Sequence, residues 1–132
     1  MKKLFLILIL QVFIIVGVYS STYAEVLDGK KFSRMCQSAI KRFEKQKSLT
    51  REEEENTLVC VSYIRGFIDS HILEMGDSPP KGYCPPEDVT YDQYSQVFIK
   101  YLEDHPEELH KVASKLLYNS LIKAFPCPKQ NK

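Results

Sequence analysis

The sequence predicts an all-α protein: a small four-helix domain of two antiparallel helical hairpins, stapled by two disulfides. Three observations lead there. Apolar residues recur at three- and four-residue spacing in four stretches, no stretch shows strand alternation between hairpin turns, and four cysteines are spread along a short chain.

The first helix is marked by Phe32, Met35, Cys36, Ala39, Ile40 and Phe43, with lysines and arginines on the other faces. Lys47-Ser48-Leu49 then breaks the pattern. Thr50 followed by Glu53 forms a capping-box signature that opens a second helix, predicted from Arg51 to about Met75. Leu58, Val59, Cys60, Val61, Tyr63, Ile64, Phe67 and Ile68 make its middle apolar on most sides, which predicts a central helix covered by several neighbours. Gly66 within it predicts a close crossing by another helix, because an interior glycine costs about 1 kcal/mol against alanine.

Glycines and prolines at Gly76, Pro79, Pro80, Gly82, Pro85 and Pro86 interrupt the helical pattern and form the one long loop. Thr90 and Gln93 repeat the capping box, and Tyr94, Val97, Phe98, Tyr101 and Leu102 stripe a third helix. The His105-Pro106 step breaks the chain. A fourth helix is predicted from Pro106, a residue suited to a first helical position, with Glu107 and Glu108 at the positive end of its dipole. Leu109, Val112, Ala113, Leu116, Leu117, Leu121 and Ala124 line its buried face until Phe125-Pro126 ends it.

Lys2 and Lys3 precede an apolar run from Leu4 to Val18, interrupted by Gln11, and Thr22-Tyr23-Ala24 follows as a small-residue cleavage site. Residues 1–24 therefore read as a secretory signal peptide, leaving one domain at 25–132. The run is shorter than the roughly twenty residues a membrane span needs, so no membrane attachment is expected after cleavage. A lipoprotein would need a cysteine at the cleavage point, and the first is Cys36. The formal charge of +1 offers no basic field for nucleic acid.

Cys36, Cys60, Cys84 and Cys127 all fall in the exported part, where an even count predicts a disulfide framework. Their separations are far wider than the paired spacing of zinc ligands, so no metal is expected. In an antiparallel hairpin, residues equidistant from the turn lie level with each other. Cys36 and Cys60 are centred on Ser48, and Cys84 and Cys127 on His105-Pro106; both centres are predicted turns. Pairing Cys60 with Cys84 would centre on Ile72, inside a helix. The expected bridges are Cys36–Cys60 and Cys84–Cys127.

No nucleophile–base pair, carboxylate pair or metal set stands out, so no catalytic residue and no cofactor are assigned. His71 reads as a partly buried structural histidine, and His105 and His110 have no motif around them. The acidic run Glu52 to Glu55 is what a helix N-terminus favours. The loop from Glu74 to Gly82 is longer than a tight connection needs, and loops of that kind in compact domains are often functional. Its prolines and the adjoining Cys84 would pre-order it for binding. Glu74, Met75, Asp77, Ser78, Lys81 and Tyr83 are its candidate partner contacts, Tyr83 standing apart from the core tyrosines because it lies on the loop.

The ordered set Cys36, Cys60-Val61-Ser62-Tyr63-Ile64-Arg65-Gly66, Tyr83-Cys84-Pro85-Pro86, Tyr101-Leu102-Glu103-Asp104-His105-Pro106 and Ala124-Phe125-Pro126-Cys127 resembles the Rap/Tai family of immunity proteins. The resemblance implies a periplasmic, non-enzymatic helical protein that binds and blocks a cell-wall amidase toxin of a type VI secretion system. It also implies a homodimer and occlusion of the toxin's catalytic cleft by a protruding loop, most naturally Glu74 to Gly82. The competing reading is a small periplasmic stress protein or acid chaperone with a disulfide-linked helical fold.

Overall fold

A computed structural model describes residues 26–44, 48–76 and 82–128. The expected signal peptide at 1–24 lies outside the described residues. Four α-helices are present: α1 (Gly29–Phe43), α2 (Arg51–Met75), α3 (Tyr91–Asp104) and α4 (Ala113–Ala124), with a 3-10 turn at Pro106–Glu108. No strand is formed among the described residues, only isolated bridges between Asp28 and Val112 and between Tyr83 and Pro126. No described helix is long and apolar enough to cross a membrane.

Local chemistry starts the first three helices. Asp28 caps α1 by accepting from the Lys31 amide at 2.8 Å. Both expected capping boxes are formed, Thr50 with Glu53 on α2 and Thr90 with Gln93 on α3. The α1/α2 hairpin is antiparallel: moving away from the turn, Lys41 meets Glu53 at 2.9 Å, Cys36 is bonded to Cys60, and Phe32 packs on Tyr63. In the α3/α4 hairpin, Tyr101 lies near Lys123 and Tyr94 near Phe125, again in reversed order. Both disulfides have the expected pairing, Cys36–Cys60 and Cys84–Cys127.

Three expectations are corrected. The centre of the core is not α2: α1 and α3 each pack against all three other helices, whereas α2 packs mainly on those two. Phe32 of α1 is fully buried, with ring centroids 4.6 Å from Tyr63 and 5.0 Å from Phe98. The apolar width of α2 is instead partly spent on solvent, leaving Leu58, Val59, Ile72 and Leu73 exposed. Gly66 has no close crossing: a Cβ built on it meets nothing within 4 Å among the described residues. The close approach occurs at Gly29, where a Cβ would collide with the Leu116 side chain.

The third correction is that α4 starts at Ala113 rather than Pro106. Residues from Leu109 to Val112 leave the helical path because their backbone serves the chain ahead of α1. The amides of Gly29 and Lys30 donate to the carbonyls of Lys111 and Leu109 at 2.9 and 3.0 Å, and the Ala113 amide donates to Leu27 at 2.8 Å. This stitch supplies partners for backbone groups that α1 and α4 would otherwise leave open at their starts.

Glu53 makes the first hairpin pH-sensitive. Its carboxylate accepts from the Thr50 amide and from Lys41 Nζ, each at 2.9 Å. The Thr50 backbone bond first, then Lys41, holds its pKa down from 4.5 to about 2. A depressed carboxylate stabilises the fold fully above its unfolded value and loses that contribution as pH falls through the folded one. Wild type is expected to lose more stability than Glu53→Gln between pH 4.5 and about 2. Thermal melts of the two across that window, with a widening rather than narrowing gap on acidification, would refute it.

Candidate partner-binding site

The loop turns on a glycine at each described end and is held at its exit. Its entry is Gly76, the residue that ends α2 with φ +48°, and its exit is Gly82 with φ +88°; both values favour glycine. At Gly82 a Cβ would also press on the Tyr118 hydroxyl of α4. The next residue, Tyr83, bridges to Pro126, and the Cys84 amide donates to the Phe125 carbonyl at 2.8 Å. The Cys84–Cys127 disulfide closes the same joint covalently. The sequence predicts the disulfide at this joint; the backbone pairing of residues 83–84 with 125–126 beside it is added by the fold.

Tyr83 is the anchor of that joint rather than a surface contact, which corrects its place among the expected contact residues. It is 1% exposed, stacks on His71 of α2 with centroids 4.2 Å apart and planes 18° apart, and meets Tyr118 edge-on at 6.2 Å. Burial pushes its phenol pKa up, so it stays neutral. Its hydroxyl and His71 Nε2 are buried with no hydrogen-bond partner among the described residues. Because an unpaired buried hydroxyl is unfavourable, Tyr83→Phe is expected to leave stability unchanged or raise it by up to about 1 kcal/mol. Tyr83→Ala is expected to lose about 3–5 kcal/mol. Urea denaturation of both variants checks the pair, and a large loss in Tyr83→Phe would overturn the anchoring role of the ring alone.

Of the other expected contacts, Glu74 is exposed on the last turn of α2, and Met75 ends that helix. Asp77, Ser78 and Lys81 lie outside the described residues.

A second feature went unnoticed in the sequence: a groove of about 350 Å³ between α3 and α4, lined by Val97, Lys100, Tyr101, Asp104, Lys123 and Ala124 among others. Its charged groups are engaged with one another. Lys100 bonds Asp104 at 2.8 Å, and Lys123 Nζ lies 3.2 Å from His105 Nε2. The Tyr101 hydroxyl donates to Glu108 at 3.0 Å while Lys111 donates to the other oxygen at 2.7 Å. Lys111 first, then Tyr101, lowers the Glu108 pKa. These are contacts that tie the 3-10 turn to α3. Among the described residues no group of three histidines, cysteines or carboxylates is placed to hold a metal.

The sequence over these elements matches a known family. The family model of Rap1a immunity proteins covers residues 28–127, from the α1 cap to the last cysteine. The chain belongs to the Rap1a immunity protein family. Membership implies a type VI effector immunity protein, one that binds a partner effector protein. No curated protein matches the chain. The Rap1a match begins at Asp28 and ends at Cys127, so it spans both the α1 stitch and the joint at the loop exit.

Proposed function

We propose that this Rap1a-family chain is a periplasmic inhibitor that blocks a cell-wall amidase effector by occlusion, without chemistry of its own, and does so as a homodimer. The reading takes residues 1–24 as a cleaved signal and 25–132 as the immunity domain. The contact segment is the loop from Glu74 to Gly82, with Glu74, Met75, Asp77, Ser78 and Lys81 supplying the surface and Tyr83 holding it from below.

The observation that carries the reading is the loop's root. A segment entering on one glycine of positive φ and leaving on another, then locked within two residues by a hydrogen-bonded backbone bridge and a disulfide, has little freedom left at its exit. An inhibitor that fills a cleft gains affinity by arriving ordered, since less entropy is lost on binding. Two disulfides also suit an oxidising compartment, which is where a wall-cutting enzyme acts.

The direct test pairs the oxidised domain with the product of the neighbouring gene. A stoichiometric complex and loss of amidase activity are expected. Replacing Asp77, Ser78 and Lys81 together with glycine should abolish both while leaving the melting curve unchanged. Absence of a complex with the intact domain, or full inhibition by the triple variant, would sink the occlusion reading.

A further inference from the structure

The whole chain is close to charge balance, with 18 lysines and arginines against 17 aspartates and glutamates. Helix α1 is not balanced: Lys30, Lys31, Arg34, Lys41 and Arg42 stand on it without one acidic residue. Lys30, Arg34, Gln37 and Lys41 recur at one-turn intervals and are all exposed, so they form a single outward stripe about 16 Å long. Lys41 is paired with Glu53 at 2.9 Å. Among the described residues no carboxylate pairs with Lys30, Arg34 or Arg42.

Local physics disfavours this arrangement. Lys30 lies in the first turn of α1, at the positive end of the helix dipole, and Lys30 and Arg34 are like charges one turn apart. Asp28, the acid next to them in sequence, is used as the cap, its carboxylate accepting from the Lys31 amide at 2.8 Å. The Gly29 and Lys30 amides donate to the carbonyls of Lys111 and Leu109. An anion on this face therefore meets side chains and not the open start of a helix. Charges that repel one another within the fold and find no partner there break a local rule, as functional surfaces do.

The composition of the stripe selects the anion. A bilayer surface calls for apolar residues beside the cations to enter the acyl boundary, and a protein interface for an aromatic or aliphatic anchor near its centre. Gln37 stands there instead, and the exposed Phe43 lies on the opposite flank of the helix. A row of cations on a polar face fits a hydrated, extended polymer with repeating negative charges. Where a wall-cutting enzyme acts, that polymer is the cell wall itself, whose peptide stems carry free carboxylates.

We infer that the Lys30, Arg34 and Lys41 face of α1 docks the domain on the carboxylates of the cell-wall polymer. This rests on the periplasmic reading above and adds a second function beside occlusion, since it holds the inhibitor on the surface that its effector attacks. Exposed charges bind weakly one by one and are screened by salt, so the domain exchanges between sites on the wall.

Co-sedimentation of oxidised residues 25–132 with sacculi freed of lipid and protein tests the inference. Wild type is expected to pellet with the sacculi at about 50 mM salt and to be released at about 500 mM. Lys30→Gln with Arg34→Gln should weaken binding about tenfold and melt no lower than wild type, because the change relieves repulsion. Lys100→Gln with Lys123→Gln removes the same charge from the α3/α4 groove and should bind within about twofold of wild type. A wild type that stays in solution, a stripe variant that pellets as well as wild type, or equal loss in both variants would overturn the inference. Tighter binding to phosphatidylglycerol vesicles than to sacculi would give the face to a membrane and overturn it too. Effector inhibition in solution, measured alongside, should be the same in wild type and stripe variant; a parallel loss would give the face to the effector instead. A domain that pellets with sacculi but inhibits no effector leaves this inference standing and removes the occlusion reading.

Discussion

Replacing Cys36 and Cys60 together with alanine is expected to lower the stability of the oxidised domain by about 3.5 kcal/mol, and replacing Cys84 and Cys127 by about 4 kcal/mol. The difference follows from the loops they close, since the bonded cysteines are 24 and 43 positions apart in sequence. A longer loop has more freedom to lose in the unfolded chain. A small domain has about 5–15 kcal/mol of stability in all, so losing both bridges removes half of it or more. Urea titrations with and without reductant measure the combined effect, and coincident curves would refute it.

The two bridges should also fail differently. Cys36 and Cys60 are fully buried in the α1/α2 seam, where their loss weakens the whole core. Cys84 and Cys127 sit at the loop exit, partly buried, where the Tyr83–Pro126 bridge, with its hydrogen bond from the residue 84 amide to Phe125, would remain. In the second variant, amide exchange at positions 83 and 84 is expected to accelerate before the helices melt. Inhibition should then fall even at temperatures where the domain remains folded.

Phe32→Ala is expected to destabilise the domain by about 3–5 kcal/mol, the ordinary range for deleting a buried phenyl ring. Phe32 lies where α1, α2 and α3 meet, with no exposed surface, and its ring is tilted against both Tyr63 and Phe98. Leu73→Ala on the outer face of α2 provides the contrast, with an expected change within about 0.5 kcal/mol for the monomer. Equal effects from the two substitutions would mean that the core does not lie where α1, α2 and α3 meet.

Much of this architecture was readable from local chemistry. Capping boxes at Thr50 and Thr90 act within one turn, so sequence neighbours decide them. The disulfide pairing was readable because hairpin geometry turns equal distance from a turn into spatial proximity, and both turns were marked by breaks in the apolar pattern. What local pattern misses is the use made of a face. The apolar circumference of α2 looks the same whether a neighbour of its own chain covers it or none does, and Gly66 looks the same in a tight crossing or in open space.

Tyr83 shows the same division at the loop. Its place in a proline-rich connector between helices made it read as a surface residue, yet it is buried between His71 and Tyr118, which are far from it in sequence. The start of α4 was displaced for a similar reason: Pro106 favours a helix locally, but the carbonyls of Leu109 and Lys111 serve the amides of Lys30 and Gly29 instead. Helix identity, hairpin pairing and the bridges were settled by interactions within a few turns or by a symmetry of spacing. The centre of the core, the buried anchor of the loop and the bare face of α2 were decided by which distant segments meet, because burial depends on neighbours that periodicity does not name.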